Sequence, residues 1–253
     1  MIRYAAMATE PDPPSGDQMV AKNLVVLYET DADLIASVLP RPLVPSDPVV
    51  RVTLAQVDMP GSDEPLGAGT FAVKCRHEDL DGFYDLLMIM NREAAVVGGR
   101  ETFGEPKKLG HAWLRHEGRE VSGVMGRQGV DLVEVHGHVT EDLEPEPYNE
   151  RYAFYFKFLL DPAGGRFDGD PELVHVRRGQ QDLVRQRVDG DLILRESRFD
   201  PIAELPVRRL LSTVWTESHQ TQSGAIVGHV PGEWVWPFRH QRYDGLIARL
   251  QPA

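Results

Sequence analysis

Short apolar and β-branched runs, separated by turn residues, recur along most of this chain. Residues 49–59, "VVRVTLAQVDM", alternate apolar and polar side chains, which is typical of a strand with one buried face. Similar runs follow at short intervals, with Gly- or Pro-containing breaks between them. They do not alternate regularly with helical segments, which argues against a parallel doubly wound sheet. The pattern predicts a mainly β (α+β) fold, either an antiparallel barrel or a sandwich, with a few helices.

Four local patterns give more specific expectations. Apolar spacing predicts a helix within residues 30–40, which Thr30 or Asp31 can cap and Pro40 ends. A second helix is expected within residues 202–219. Asp189-Gly190 separates two alternating runs, which predicts a hairpin turn. Residues 92–101 can start a short helix, but the two glycines near its end should interrupt it.

Length and composition limit the class of protein. A chain of 253 residues with no clear linker predicts a single domain over residues 1–253, with residues 1–20 as a loose N-terminal tail. The formal net charge of −12 argues against a nucleic-acid partner and against an anionic membrane surface. No apolar run is long enough to span a bilayer. The single cysteine, Cys75, fits a reducing cytoplasm.

Two adjacent lysines lie in the apolar, glycine-rich stretch "GRETFGEPKKLG", residues 99–110. An ordinary lysine has a pKa of about 10.4, so a nucleophilic lysine needs that value lowered by burial or by a neighbouring cation. On an extended backbone, Lys107 and Lys108 point to opposite faces. Burial is therefore expected to matter at least as much as the second ammonium group. A neutral lysine attacks ketones to form a Schiff base.

The stretch resembles the acetoacetate decarboxylase family, whose pattern is Gly-Arg-Glu, an aromatic residue, a short spacer and Pro-Lys-Lys. The matching positions are Gly99, Arg100, Glu101, Phe103, Pro106, Lys107 and Lys108. Weaker similarity covers most of residues 24–212. The resemblance implies a mainly β, closed barrel-like fold, usually assembled into homo-oligomers.

The resemblance also implies site roles. Lys107 is the Schiff-base nucleophile, and Lys108 is the neighbour that helps to keep it neutral. Ile89 lines the pocket, while Arg100 and Glu101 support the same loop.

Three positions depart from the family pattern. Ala21, beside Lys22, stands where the family has an active-site arginine, and Thr53 stands where it has a glutamate. Ala68 falls at or near a second family glutamate that acts at the reacting carbon, so Ala68 is expected beside the substrate. Glu64 is close in sequence but needs a shift in register to replace that glutamate.

The resemblance implies a carbon–carbon lyase, and no cofactor is expected. The first expectation is decarboxylation of a small 3-oxo acid through a Schiff base on Lys107. One alternative is an aldolase-dehydratase or other Schiff-base lyase acting on a pyruvate-like oxo acid. Another alternative is a non-catalytic ligand-binding barrel, which the replaced arginine and glutamates favour. The expected setting is a cytoplasmic homo-oligomer.

Histidines offer a further possibility. His136 and His138 alternate on a predicted strand and share one face, with His111, His116 or Glu134 as a potential third metal ligand. The set is incomplete, so no metal site is predicted. His219 and His229 are either surface residues or acid–base groups that reach the pocket.

Overall fold

The computed structural model describes residues 19–58 and 64–244. The strands are β1 Met19–Glu29, β2 Val44–Asp58, β3 Leu66–His77, β4 Leu80–Met90, β5 Lys107–Leu109, β6 His111–Glu117, β7 Glu120–Arg127, β8 Val130–Asp142, β9 Asn149–Lys157, β10 Glu172–Leu194 and β11 Arg209–His229. The α-helices are α1 Ala32–Val38, α2 Glu93–Phe103 and α3 Gly232–Val235, and 3-10 turns cover Ile202–Glu204 and Trp236–Gln241. Most of the predicted N-terminal tail lies outside the described residues, although Met19 and Val20 already belong to β1.

Seven strands form a closed barrel. They follow the order β11, β1, β2, β3, β4, β9 and β10, and the pairing of β10 with β11 closes the ring. Every pairing in the ring is antiparallel except the two-residue contact of β4 with β9. The expected closed, mainly antiparallel barrel with a few helices is therefore confirmed. None of the helices within the described ranges is long and apolar enough to cross a membrane.

The long strand β10 joins the barrel to a second sheet. Its first part pairs with β9 and β11, and residues 186–194 pair with β8, followed by β7 and β6. The predicted hairpin at Asp189-Gly190 is wrong, because the strand continues straight through both residues. Gly190 lies opposite Gly137 of β8, and a Cβ at Gly190 would come within 2.3 Å of the His136 carbonyl oxygen. The glycine permits close strand contact here rather than a turn.

Two helix predictions also need correction. Residues 202–219 hold only a 3-10 turn before β11 begins, because β11 must supply backbone partners to both β1 and β10. Helix α2 is not interrupted by Gly98 and Gly99 but continues to Phe103. The helix predicted within residues 30–40 is confirmed as α1, with Asp31 at its N-cap position.

Alternation along the strands separates two apolar clusters. The larger one covers the outer face of the barrel, where β2 and β3 pack against β6 and β7, and it includes Leu54, Phe71 and Met125. The smaller one lies on the opposite, inward face and has these members: Leu66, Ala68, Met88, Met90, Val96, Ala153, Tyr155, Val174 and Val176. Helix α2 contributes Val96 to the inward cluster and so covers part of the barrel interior.

Replacing Gly190 by alanine tests the close contact of β10 with β8. The new methyl group would meet backbone atoms of His136 and Gly137, which cannot move independently of β8. We expect Gly190→Ala to lower the free energy of unfolding by about 1–3 kcal/mol. Urea-induced unfolding, followed by circular dichroism, measures this change.

Gly228 provides a matched control on β11, because no heavy atom lies within 4 Å of its Cβ position. Gly228→Ala should leave stability unchanged or raise it by up to about 1 kcal/mol, since alanine loses less backbone entropy on folding. Equal unfolding midpoints for the two variants would contradict the proposed contact.

Candidate active site

The short strand β5 determines where the two lysines point. It pairs in parallel with β4, so Lys107 lies beside Met88 and Lys108 beside Ile89. Because neighbouring strand residues face opposite sides, Lys107 shares the inward face of Met88, while Lys108 shares the outward face of Ile89. The Lys107 side chain is 15% exposed and that of Lys108 is 6% exposed. Both ammonium groups therefore lie inside the protein, but on different faces of the sheet.

Lys107 pairs with a buried carboxylate that the sequence analysis did not identify. Its Nζ atom lies 2.7 Å from Oε2 of Glu105, whose side chain is fully buried. The other oxygen, Oε1, accepts a hydrogen bond of 2.9 Å from Nη2 of Arg178. Glu105 thus joins the lysine to an arginine of β10. The amine and the carboxylate are close enough to exchange a proton.

Helix α2 and the turn after it build this contact. Gly104 ends the helix in the left-handed conformation (φ 75°), and its N–H donates to the Arg100 carbonyl oxygen. The chain then reverses, and the Glu105 N–H donates to the Gly99 carbonyl oxygen. A Cβ at Gly99 would lie 2.3 Å from Glu105 Oε2 and 2.5 Å from Lys107 Nζ. Only glycine leaves room for the amine and the carboxylate at this position.

A chain of hydrogen bonds continues from Arg178 across the barrel interior. Arg178 Nη2 donates to the Tyr155 hydroxyl oxygen at 2.9 Å, and the Tyr155 hydroxyl donates to Asp85 Oδ2. Burial raises the pKa of Tyr155 well above its usual value, so the phenol keeps its proton. Burial alone would lower the pKa of Arg178, but Tyr155, Glu105 and Asp85 outweigh it and raise that pKa. The arginine is therefore a permanent cation.

Two more arginines lie on the inward face. Arg51 is 8% exposed, and its guanidinium stacks on the Phe83 ring at 4.0 Å from the centroid. Burial lowers the pKa of Arg51 to about 10, and the charge of Asp85 offsets only part of this effect. Arg151 of β9 lies directly opposite Arg178, and burial followed by repulsion from Arg178 lowers the pKa of Arg151. The interior therefore concentrates positive charge.

Lys108 belongs to a separate ion cluster. Its Nζ atom lies 2.8 Å from Asp200 Oδ1 and 3.0 Å from Asp244 Oδ1. Arg127 of β7 pairs with the same two aspartates. The cluster joins β5 and β7 to the chain segments that hold Asp200 and Asp244. Lys108 therefore makes a structural contact with the two aspartates. Its expected role in keeping Lys107 neutral stays a prediction.

The other predicted site residues are dispersed. Ala68 is on the inward face with Lys107, whereas Ile89 is fully buried in the outer cluster, on the face of Lys108. Arg100 and Glu101 are part of helix α2 rather than of a loop. The Arg100 guanidinium lies 4.9 Å from the centroid of the Tyr243 ring, and Glu101 Oε1 lies 3.6 Å from Arg242 Nη2. Substrate contacts of these four residues stay predictions.

A cleft of about 270 Å³ lies beside the end of β9 and the start of β10. Its lining is Glu101, Lys157, Phe158, Leu159, Asp168, Asp170, Glu172, His229 and Arg242. Lys107 is not among these residues. The cleft and the inward-facing side chains around Lys107 are therefore separate features of the molecule.

At the positions that depart from the family pattern, the described part of the chain brings in no nearby substitute for the absent charged residue. Ala21 and Thr53 both contribute to strands of the barrel wall, and neither brings a charge into it. Glu64 does not replace the absent glutamate, because its side chain is 88% exposed and lies 3.6 Å from Arg92. Besides Lys107 and Glu105, the charged groups described above in the interior come from β2, β4, β9 and β10.

The histidines remain scattered. His136 and His138 are both exposed, and His136 lies 3.3 Å from Glu134. Across residues 19–58 and 64–244, no group of three or more His, Cys, Asp and Glu side chains is arranged to hold a metal ion. His229 is exposed beside Glu172, and His219 is half-buried with its Nδ1 atom unpaired among the described residues.

Comparisons with known proteins agree with this architecture. The chain is 25% identical over 241 residues to acetoacetate decarboxylase 3 of Mesorhizobium japonicum, covering 89% of this chain and 90% of the relative. The acetoacetate decarboxylase crystal structure from Legionella pneumophila superposes with a TM-score of 0.75 at 20% identity, covering 89% and 94% of the two chains. MppR, an enduracididine biosynthesis enzyme solved with pyruvate, gives a TM-score of 0.71 at 16% identity, with 89% and 93% covered.

The family description "Acetoacetate decarboxylase (ADC)" matches residues 4–229, which include every strand of the barrel from β1 to β11. The match also spans Lys107, Glu105 and the helix that precedes them. This chain belongs to the acetoacetate decarboxylase family.

Proposed function

We propose that this protein is a lyase in which Lys107 forms a Schiff base with the ketone of an oxo acid, and that it decarboxylates a 3-oxo acid. The observation that carries the proposal is the position of Lys107 Nζ. It lies on the inward face of a closed barrel, 2.7 Å from the buried carboxylate of Glu105. A buried lysine beside a proton acceptor meets the two requirements for carbonyl attack, namely desolvation and loss of a proton.

The proposed reaction passes through a carbinolamine, an iminium ion and an enamine. The neutral Lys107 amine attacks the ketone carbon, and the resulting carbinolamine loses water to give an iminium ion. The bond to the carboxylate carbon then breaks, its electron pair converts the iminium into an enamine, and carbon dioxide leaves. The enamine carbon takes up a proton, and water hydrolyses the new iminium to release a ketone. Glu105 accepts the proton of the amine and returns it to the departing hydroxyl group of the carbinolamine.

The inward apolar cluster suits the bond-breaking step. Ala68, Met88, Met90 and Val96 lie on the same face as Lys107. A carboxylate in such surroundings is destabilised because it loses hydration without gaining a partner, whereas neutral carbon dioxide is not. The departing group is therefore favoured to leave on this side of the lysine.

A second candidate function is an aldolase-dehydratase that acts on a pyruvate-like oxo acid. The solved complex of the structural neighbour MppR with pyruvate favours it. Here the iminium would lose a proton rather than carbon dioxide, and the enamine would attack an aldehyde. Release of carbon dioxide, as against formation of a condensation product with an added aldehyde, separates the two reactions. A non-catalytic barrel would give neither product.

Borohydride reduction tests the Schiff base. Acetoacetate or pyruvate, incubated with the protein and sodium borohydride, should leave a stable adduct that mass spectrometry locates on Lys107. Lys107→Ala should abolish the adduct, because it removes the amine that pairs with Glu105. Lys108→Ala should keep it in the folded fraction.

The Lys108 variant needs a folding control. Removing this lysine leaves Asp200 and Asp244 with fewer cationic partners, which should cost about 3–5 kcal/mol of stability. Adduct yields are therefore normalised to the folded fraction measured by circular dichroism. Absence of any adduct with the wild-type protein would refute Schiff-base chemistry at this site.

Adjacent helix glycines provide a sharper test of geometry. A methyl group at Gly99 would displace both Lys107 Nζ and Glu105 Oε2, whereas Gly98 has no heavy atom within 4 Å of its Cβ position. Gly98→Ala should raise stability by about 0.5–1 kcal/mol and leave trapping unchanged. Gly99→Ala should slow trapping by about 100-fold, because small displacements of a reacting group have effects of that size.

Trapping rates and urea midpoints, measured on both variants, separate the two effects. Equal trapping rates for Gly98→Ala and Gly99→Ala would show that the position of the amine against α2 does not matter.

A further inference from the structure

Two buried donors on the inward face lack hydrogen-bond partners within the described residues, namely Nε of Arg51 and Nε of Arg178. Two carboxylate oxygens, Oδ1 of Asp85 and Oε2 of Glu105, also lack a hydrogen bond there, although Oε2 forms the ion pair with Lys107. Nearly all buried polar atoms in folded proteins are paired, so four such atoms in one interior are unusual. Arg51 is also more than nine-tenths buried. Its side chain is held by stacking on Phe83, which orients the guanidinium without using its donors.

The same interior carries a repulsive arrangement of cations. Arg151 and Arg178 face each other directly across the β9–β10 ladder. Like charges in directly opposite positions destabilise a sheet. The nearby carboxylates compensate these cations only in part, since Glu105 already pairs with both Lys107 and Arg178, and Asp85 accepts from Tyr155 and offsets only part of the effect of burial on Arg51. A bound anion would relieve the repulsion and supply acceptors to the unpaired donors.

The strand register puts these arginines within reach of the nucleophile. Lys107 shares a row with Met88 of β4 and Thr70 of β3. Arg51 and Asp85 lie opposite Ala72 in the adjacent inward row, two residues from Thr53 on β2 and, because of a register shift, three from Met88 on β4. The chain of contacts from Lys107 through Glu105, Arg178 and Tyr155 reaches Asp85 and so joins the two rows. A small molecule bound to the arginines therefore lies in the same interior space as Lys107.

The chemistry of decarboxylation decides which group the arginines bind. A guanidinium stabilises a carboxylate far more than neutral carbon dioxide, so an arginine that held the departing carboxylate would slow its loss. The apolar side chains beside Lys107 suit the departing group, which becomes neutral carbon dioxide. The arginine row therefore suits a carboxylate that stays on the product.

We propose that Arg51, together with Arg151 and Arg178, binds a second, retained carboxylate of the substrate. The substrate class is then a 3-oxo dicarboxylic acid, and the product is an oxo monocarboxylic acid. This inference rests on the proposed Schiff-base function for its chemistry. The anion site itself is defined by the arginines and can be tested without any reaction.

Unreactive acids test the anion site first. Glutarate and butyrate have similar chains but differ by one carboxylate, and neither carries a ketone. Titration calorimetry on the wild-type protein should show glutarate binding about 10- to 100-fold more tightly than butyrate, as expected for charge-assisted hydrogen bonds. Arg51→Gln should remove this preference, and Lys107→Ala should retain it.

Arg177→Gln is the matched control. Arg177 is adjacent to Arg178 on β10, but its side chain is 55% exposed and pairs with Glu150 on the other face. This variant should keep the preference for glutarate. Arg151→Gln, at a less buried position, is a second site variant if Arg51→Gln does not fold. Equal affinity for the two acids in the wild-type protein would overturn the proposal and indicate a hydrated structural network of arginines.

Turnover tests the substrate class. The ratio of kcat/KM for 3-oxoglutarate to that for acetoacetate should exceed 10 in the wild-type protein and fall at least 10-fold in Arg51→Gln. A ratio near one would overturn the substrate class but leave the Schiff base intact. Selective glutarate binding without any adduct on Lys107 would support the anion site and refute the Schiff-base function instead.

Discussion

The parallel pairing of β5 with β4 fixes the directions of two adjacent lysines. Because the pairing is made by backbone groups, Lys107 faces inward and Lys108 outward whatever partners surround them. A shift of one residue would exchange the two side chains and put each ammonium group into the wrong surroundings. Glu105 on one side, and Asp200 with Asp244 on the other, then stabilise the register that the backbone sets. The candidate nucleophile, Lys107, and the ion cluster around Lys108 therefore both depend on the three-residue strand β5.

Closure of the barrel buries a polar strand face that would contact water in an open sheet. In β2, Val50, Val52 and Leu54 pack in the outer cluster, so the alternate residues point inward. In an open sheet that face would contact water, but the pairing of β10 with β11 encloses it. Arg51 is consequently a buried charge that stacks on Phe83. Such a group is costly for stability unless it is paired, which argues for a role in binding.

Sequence patterns predicted what depends on neighbours along the chain. Alternation identified most strands, and the Pro-Lys-Lys motif located the candidate nucleophile. Predictions that depend on distant partners were less successful: Gly190 looked like a turn residue because its contact, the backbone of β8, lies some fifty residues earlier. Arg51, Asp85, Tyr155 and Arg178 escaped notice because they come from four strands that meet only when the barrel closes. Glu105 was adjacent to the motif, yet its burial follows from Gly99 and the turn after α2.

The position of Glu105 changes how activation of the lysine should be understood. Adjacent lysines suggest activation by like charge, but Lys108 already has two carboxylates as partners. Lys107 instead touches a proton acceptor, which Arg178 holds by its other oxygen. An anionic substrate bound to the arginines would compete with Glu105 for Arg178 and so leave Lys107 as the remaining charged partner of that carboxylate. Substrate binding and the charge of the amine would then be coupled through one guanidinium.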